Sequence, residues 1–366
     1  MKKIAIVFGG DSLEHDISIV TALVVNKQIS NKNKYIFIYL SRNGEFYYGN
    51  ALINKNNYSS LKGFKKGYFK RNNNKTYFIG FTKKVEISAV LLCVHGFGVE
   101  DGTLGAYFDI LKIPVAYSGV LSSSLMQNKS ETKHFLNRLG INVTHGVEIT
   151  YHRYQECNFD ISKLIKEFIY PLIIKPVHLG SSIGVYKVKN EDELNSKISE
   201  IFELDTELII EECIENLIEY NVAIVGHLDE MFVSEIEEVN HENKILTFKD
   251  KYEEFSLTNQ KVIGGEINNE VKEKIIANSL RAFKELSCFG VVRFDYLYDK
   301  ENNKLYLNEI NSIPGSLAYY LFESKGMSFD ELLDKIIESA KYRSYLFDKK
   351  IRTYSNSNLM SITSKK

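Results

Sequence analysis

A multi-domain chain of mixed α/β and α+β character is the fold class that this sequence predicts, and three stretches predict it. Residues 3–8, KIAIVF, form an apolar strand broken by Gly9-Gly10 and followed by helical spacing in HDISIVTALVVNKQI. Strand, glycine turn and helix together open an α/β layer. Residues 170–188, YPLIIKPVHLGSSIGVYKV, form a strand ended by a lysine and a glycine/serine turn. Residues 291–315, VVRFDYLYDKENNKLYLNEINSIPG, form two strands joined by a polar turn. At 366 residues the chain is too long for one ordinary core, so two or three domains are expected.

Composition narrows the class. The chain is 44% hydrophobic and 25% charged, as soluble globular proteins are. A net charge of −1 makes no electrostatic case for nucleic acid or an anionic membrane as partner. No apolar run approaches the roughly 20 residues that span a bilayer. The opening MKKIAIVFGGDSLEHD does not read as a signal peptide, because its short apolar run meets Gly-Gly and acids at once. Cys93, Cys157, Cys213 and Cys288 are scattered, with no C-x-x-C pair. Structural thiols in a reducing cytoplasm are therefore expected, not a disulfide framework or a zinc site.

In chain order, Asp11-Ser12 offers a helix N-cap, and Glu14 falls in the first helical turn, where the macrodipole alone favours an acid. G-x-G-x-x-G is absent, so this is not the dinucleotide fingerprint. Residues 35–40 and 89–94 read as further strands of the same sheet, with a hairpin-like polar segment over 54–84. His95 follows the second strand directly and enters a glycine-rich turn, HGFGVEDGTLG, that runs into a helix. Glu14 and His95 thus both stand at carboxyl ends of strands, where open α/β sheets bind ligands. Taken alone, a histidine in such a place is more often a hydrogen-bonded loop residue than a catalyst.

Lys129 and Lys133 lie one turn apart on the next helix; pairs of this kind are usually solvated. Lys175 ends an apolar strand and is costly to bury without an anionic partner. The turn after it, HLGSSIG, presents backbone amides and hydroxyls that suit a phosphate chain, although it is not a Walker A loop. Residues 204–214 read as a strand ending in Glu211-Glu212, with Glu219 opening the next strand. These acids suit ribose hydroxyls or an adenine amino group, or else an exposed loop. ILTFKDKYEEF, which carries Lys251-Tyr252, reads as a mobile lid or as an ordinary polar loop. Helices are expected over 270–286 and 328–344, and disorder over 355–366.

Alternation in the third stretch puts Arg293 and Asp295 on one strand face and Val292, Phe294 and Tyr296 on the other. Glu309 and Asn311 share a face with Leu305 and Leu307. If Tyr298 pairs with Tyr306, Asp295 lies opposite Glu309 and Arg293 opposite Asn311. Like charges in direct register are unfavourable, and a hard divalent cation turns that penalty into a binding site. The bland alternative is a solvated hairpin face. Pro314 stiffens the following turn, and Gly315 lets a backbone amide approach a ligand.

Together GGDSLEHDIS, HGFGVEDGTLG, KPVHLGSSIGV, the Arg293/Asp295 strand and NEINSIPG resemble, in order and rough spacing, the D-alanine–D-alanine ligases of the ATP-grasp fold. The resemblance runs from Lys3 to Ser344. It implies an N-terminal Rossmann-like α/β domain (1–120), a central ATP-grasp subdomain (121–212), a C-terminal subdomain with the catalytic hairpin (213–350) and a polar tail (351–366). It implies that Glu14 holds the ammonium of the first D-amino acid. Lys129, Lys175 and Lys251 then serve ATP, with Gly180 and Ser182 in a flap over the phosphates. Glu211, Glu212, Ile214 and Glu219 are the remaining nucleotide contacts, Glu212 and Ile214 at the adenine hinge. Asp295, Glu309 and Asn311 are implied ligands of one or two Mg²⁺, with Mn²⁺ as a substitute.

Ser181 and Tyr252 match the residues that complete a hydrogen-bonded triad with Glu14 in this family. Arg293 and the Gly315 amide are implied donors to the oxyanion, and His95, Tyr320 and Leu321 implied neighbours of the substrates. The implied chemistry is joining of two D-alanines through an acyl phosphate, for peptidoglycan precursors. The implied partners are the small molecules D-alanine and ATP; a homodimer is left open. Two departures touch the acceptor side: Tyr320-Leu321 stands where the family usually has Ser-Leu, and the usual aromatic lid run has become ILTFKD. D-serine, D-lactate or another amino acid therefore remains an alternative acceptor, and the presence of Tyr252 favours an amine over D-lactate. A non-catalytic ATP-binding protein is argued against by the complete set of ligands and lysines, and a kinase-like enzyme by Glu14, Ser181 and Tyr252.

Overall fold

The computed structural model describes residues 2–157, 159–239, 261–265 and 267–351; Lys251 and Tyr252, with the segment expected to form a lid, and residues 352–366 lie outside this description. Among the described residues the strands form three sheets. The first contains β1 (Lys3–Gly9), β2 (Tyr35–Leu40), β3 (Phe46–Tyr48), β4 (Lys65–Asn72), β5 (Lys75–Gly80), β6 (Lys83–Cys93) and β7 (Val115–Ala116). Strand β1 runs parallel to both β2 and β6, and β6 parallel to β7. The hairpin-like segment expected over 54–84 supplies antiparallel β4 and β5, which carry the pairing from β3 round to β6. Ala5, Ile6, Val7, Ala89, Val90 and Leu91 are buried as consecutive runs, as parallel strands covered on both faces require.

Helix α1 (His15–Gln28) follows β1, but its N-cap is Glu14, not Asp11 or Ser12. The Ser12 hydroxyl is used elsewhere: it donates to the His95 carbonyl at 2.7 Å. Gly9 and Gly10 adopt φ of +94° and +96°, and a Cβ on Gly9 would lie 2.3 Å from the Leu40 carbonyl oxygen, so glycine is required there. The chain continues through α2 (Thr103–Ile110), α3 (Val120–Gln127) and α4 (Lys129–Arg138). The Asn128 side chain caps α4 by accepting from the Glu131 amide.

The second sheet is antiparallel in the order β10 (Tyr186–Val188), β9 (Leu172–Pro176), β11 (Glu207–Glu212), β8 (Gly146–Thr150). The helix Glu191–Phe202 covers it with Leu194, Ile198 and Ile201, a spacing of one helical face. The third sheet is also antiparallel, in the order β14 (Lys261–Ile263), β13 (Glu230–Val239), β12 (Leu217–His227), β15 (Gly290–Asp299), β16 (Lys304–Asn311). Val292, Phe294 and Tyr296 fill one of its faces against the helix Asn269–Glu285, which buries Val271, Ile275, Ala282 and Phe283.

The helix Phe329–Asp348 opens with a capping box between Ser328 and Glu331. Its Leu332, Leu333, Ile336, Ile337 and Ala340 join the same core as β1, β6 and β7, together with Ala223, Val225 and Val291 of the third sheet. Buried Arg343 adds a bidentate bond to Asp109, at 2.8 and 2.7 Å. The first and third sheets are thus packed on one apolar body, and the surfaces facing each other across it are held in fixed relation.

Candidate active site

Asp295 does lie opposite Glu309, and Arg293 opposite Asn311. The path to that register differs from the expected one. Tyr298 pairs with Leu305, not Tyr306, and a β-bulge between Asp295 and Tyr296 takes up the extra residue, Asn308, on β16. The bulge also reverses the alternation. Leu305 and Leu307 turn into the core with Tyr296, while Glu309 and Asn311 face the side of Asp295; the expected shared face is therefore corrected. Asn308 is left at the bend, where its Oδ1 accepts from Lys175 Nζ at 3.3 Å.

The row continues across the sheet. Asn221 of β12 is the register partner of both Asp295 and Glu237, so Glu237, Asn221, Asp295 and Glu309 stand side by side on four strands. Arg293 donates to both oxygens of Asp295, each at 2.7 Å, and Asn311 Nδ2 donates to Asp295 Oδ2 at 2.9 Å. Burial presses the Asp295 carboxyl upward, Arg293 opposes it, and Glu309 adds to it. Burial disfavours the Arg293 charge too, but Asp295 outweighs it and holds the guanidinium protonated. Among the described residues no group of three or more His, Cys, Asp or Glu stands at metal-binding spacing. The candidate set is two carboxylates and an amide, and it fits a hard cation that keeps positions for phosphate oxygens: the repulsion between Asp295 and Glu309 is what a divalent ion would offset.

Opposite this row stands Glu14, which is buried. The Ser181 hydroxyl donates to Glu14 Oε1. A Cβ on Gly180 would lie 3.1 Å from both Glu14 oxygens, so the flap touches the carboxylate through a residue without a side chain. Ser181 and Ser182 both hold positive φ, 54° and 58°. Burial raises the Glu14 carboxyl; Ser181 and Lys129 lower it, and Glu309 raises it further. Lys129 Nζ bonds to the Leu179 carbonyl and stands 4.0 Å from Glu309 Oε1. Glu14, Ser181, Lys129 and Glu309 therefore surround one space, although they come from all three sheet regions. Tyr252, the third expected member of the triad, and Lys251 lie outside the described residues.

The expected nucleotide residues divide. Lys133, read from the sequence as solvated, is buried with Lys175. Both bind one carboxylate, Glu211: Lys133 Nζ at 2.9 Å from Oε1 and Lys175 Nζ at 2.9 Å from Oε2. Burial opposes ionisation of Glu211, but the two lysines outweigh it and hold its carboxyl down at about 2. Burial in turn brings the Lys133 ammonium down to about 8. Glu211, expected as a direct nucleotide contact, is the counter-ion of two buried lysines, one on α4 and one on β9, because leaving two buried ammoniums unpaired is prohibitive. Glu212 closes the β11 end by accepting from the His145 amide at 2.8 Å. Ile214 is half-buried just beyond it, and Glu219 on β12 faces the same side of the sheet as Asn221 and acts on Asp295 electrostatically.

His95 is buried, with Nε2 at 2.8 Å from Thr21 Oγ1 and its amide donating to Ser18 Oγ at 2.9 Å. Burial, and then Arg293, bring its pKa down to about 4, so it is neutral. Gly315 opens the turn after Pro314, and a Cβ there would meet nothing within 4 Å, so the space beside its Cα is open. Tyr320 follows on the helix Tyr319–Glu323 and donates to Glu237 Oε2 at 2.9 Å; Asn221 Nδ2 donates to the same oxygen at 3.1 Å. Leu321 is fully buried in the large core, so its side chain is corrected from a substrate contact to a packing residue. Sequence reasoning missed Lys133, Asn308 and Glu237, and also Glu100, which follows His95 in the same glycine turn. The one available signal was a carboxylate inside a glycine-rich turn; the others depend on register and burial.

Comparison with known proteins agrees with this geometry. Family models described as D-ala D-ala ligase N-terminus and C-terminus match residues 3–119 and 135–338. The D-alanine--D-alanine ligase of Thermosipho melanesiensis is 34% identical over 364 residues, covering 96% of each chain. Similar solved structures include VanG D-Ala:D-Ser ligase from Enterococcus faecalis, at 30% identity and TM-score 0.77, with 93% of this chain and 99% of that one covered. They also include the D-alanine--D-alanine ligase from Bacillus anthracis complexed with ATP, at 25% identity and TM-score 0.67, covering 95% and 100%. With both of its halves matched in order and full-length relatives at this identity, the chain belongs to the D-alanine–D-alanine ligase family, on the ATP-grasp fold.

Proposed function

We propose that this protein joins two D-alanines into D-alanyl-D-alanine at the expense of ATP, with residues 1–120, 121–212 and 213–350 as its three working units. The carrying observation is that Glu14, Ser181 and Lys129 face the Asp295/Glu309/Asn311 row across one space. A carboxylate is a poor electrophile, since its leaving group would be oxide. Transfer of the γ-phosphoryl of ATP to the first D-alanine makes an acyl phosphate, whose leaving group is phosphate. Glu14 binds the ammonium of that D-alanine, and Ser181 orients the carboxylate that does so. Lys129 and Lys175 meet the negative charge of the phosphates, with Gly180–Ser182 amides above them and the Glu212–Ile214 edge against adenine.

Bound at Asp295, Glu309 and Asn311, Mg²⁺ would neutralise phosphate charge and orient the γ-phosphoryl. The neutral amine of the second D-alanine attacks the acyl carbon, and the oxyanion is met by Arg293 and the Gly315 amide. Tyr252 and Lys251, in a lid, serve to exclude water from the acyl phosphate. Tyr320, bonded to Glu237, supports a second reading in which the acceptor is another amino acid, such as D-serine. The test supplies ATP, Mg²⁺ and D-alanine, alone and with D-serine, D-lactate or other amino acids, and identifies products by mass. D-Alanyl-D-alanine from D-alanine alone supports the first reading. A mixed product only supports the second, and phosphate release with no ligation product overturns both.

A further inference from the structure

Glu100 has no part in the chemistry described so far, yet its carboxylate joins two pieces of the site. Oε2 accepts from the Gly96 amide at 3.1 Å. Oε1 accepts from the Ile313 amide at 3.0 Å and from Ser312 Oγ at 3.2 Å. Ser312 Oγ also lies 3.4 Å from the Glu100 carbonyl. Gly96, like Gly180, lies against Glu14: a Cβ on it would stand 3.1 Å from Glu14 Oε2. Ser312 and Ile313 lie between Asn311 and the Pro314-Gly315 turn.

The backbone just after Gly315 is strained. Ser316, Leu317 and Ala318 hold φ of 50°, 57° and 50°, three consecutive non-glycine residues in the left-handed region. Such a turn persists only where its surroundings over-determine it. Its far end is held by Leu317, Ala318, Leu321 and Phe322 in the core, and its Ser316 amide points at Thr21 Oγ1 at 3.5 Å. Glu100 holds its near end. Burial and the adjacent Glu14 carboxylate push the Glu100 carboxyl up to about 7.

We infer that Glu100 is a positioning residue that fixes the distance between the Glu14 ammonium site and the Gly315 oxyanion turn. Both backbone partners are obligate donors and they sit on different oxygens, so both oxygens must accept. Glutamine satisfies one of them and turns an NH₂ group against the other N–H. This inference rests on the ligase reading. If the turn drifts, the acyl phosphate still forms but the acceptor's attack slows, and water takes a larger share of it.

The test measures inorganic phosphate and dipeptide in the same reaction for the full-length wild type, Glu100→Gln and Glu100→Asp, with ATP, Mg²⁺ and D-alanine. Misplacement by about an ångström costs on the order of 100-fold in an oriented reaction. The Gln variant is expected to lose dipeptide formation by about 10- to 100-fold. Its dipeptide-to-phosphate ratio should fall by several-fold, and its KM for ATP should stay unchanged. The Asp variant, with two acceptors on a shorter stem, is expected to fall between, and it decides the matter if the Gln variant does not fold. A merely structural role lowers both products together and leaves their ratio at the wild-type value; that result, or an unchanged rate, overturns the inference. If the wild type itself makes no ligation product, it is the ligase reading that fails.

Discussion

Replacing Glu211 with Gln tests how Lys133 and Lys175 are kept charged inside the fold. Glu211 falls from an ordinary 4.5 to about 2 because Lys133 and Lys175 outweigh its burial. At about 1.4 kcal/mol per unit, that shift corresponds to about 3 kcal/mol of stability at neutral pH. The folded value is depressed, so this stability is complete above 4.5 and is lost as pH falls through 2. About 2 of those 3 kcal/mol are gone by pH 3. The Gln variant loses the attraction and also leaves two buried ammoniums without a counter-charge, a change that typically destabilises by about 3–5 kcal/mol.

At about 2–4 °C for each kcal/mol, the scale of a cooperative unit of about 150–250 residues, Tm at pH 7 should drop by about 6–20 °C. The assay is thermal unfolding of wild type and variant at pH 7 and pH 3, with and without ATP and Mg²⁺. The gap should narrow at pH 3. Added ATP should raise the variant's Tm more than the wild type's, because its phosphates supply the missing anion. A variant that melts within about 2 °C of wild type at pH 7, or a gap undiminished at pH 3, would show that Glu211 is not the counter-ion.

The site also supports three other expected outcomes. Glu309→Gln should abolish ligation while leaving circular dichroism and Tm near wild type, since Glu309 lies at the rim of a folded hairpin; normal turnover with Mg²⁺ would remove it from the metal row. Glu14→Gln should raise KM for the first D-alanine by about 10-fold or more, through loss of a charge-assisted bond to an ammonium, with KM for ATP unchanged. For His95, held near 4 against an ordinary 6.5, the neutral form is the folded one. Its contribution, up to about 3 kcal/mol, is present above 6.5 and lost as pH falls toward 4. His95→Gln should flatten the urea-unfolding stability profile in that window, and a profile parallel to wild type would count against the assignment.

Residues that announce themselves by type at a strand end were legible in the sequence. Lys175 and Asn311 stand at strand ends and Glu14 caps the helix after the first strand, while Asp295 and Glu309 lie inside strands whose alternation is a local property that needs no partner. The order of strands, the glycine turns and the helices over Asn269–Glu285 and Phe329–Asp348 were readable for the same reason. The hairpin shows where local reading stops. Its carboxylate pair was placed opposite one another from a wrong register, because the bulge at Asn308 restores the pairing only after Leu305 and Leu307 have turned inward. A bulge is decided by what each strand face packs against, and the sequence of one strand does not contain that.

Tertiary structure alone decided which charges became buried partners. Lys133 and Glu211 look like surface residues in sequence and meet only because α4 lies against β11. Glu237 is tied to Tyr320 across 83 positions, and Glu100 to Ile313 across 213. The reason is physical: sequence sets which side chains carry charge and how they alternate, whereas the energy of a charge depends on its solvent and its neighbours. Those are set when three sheets close on one space.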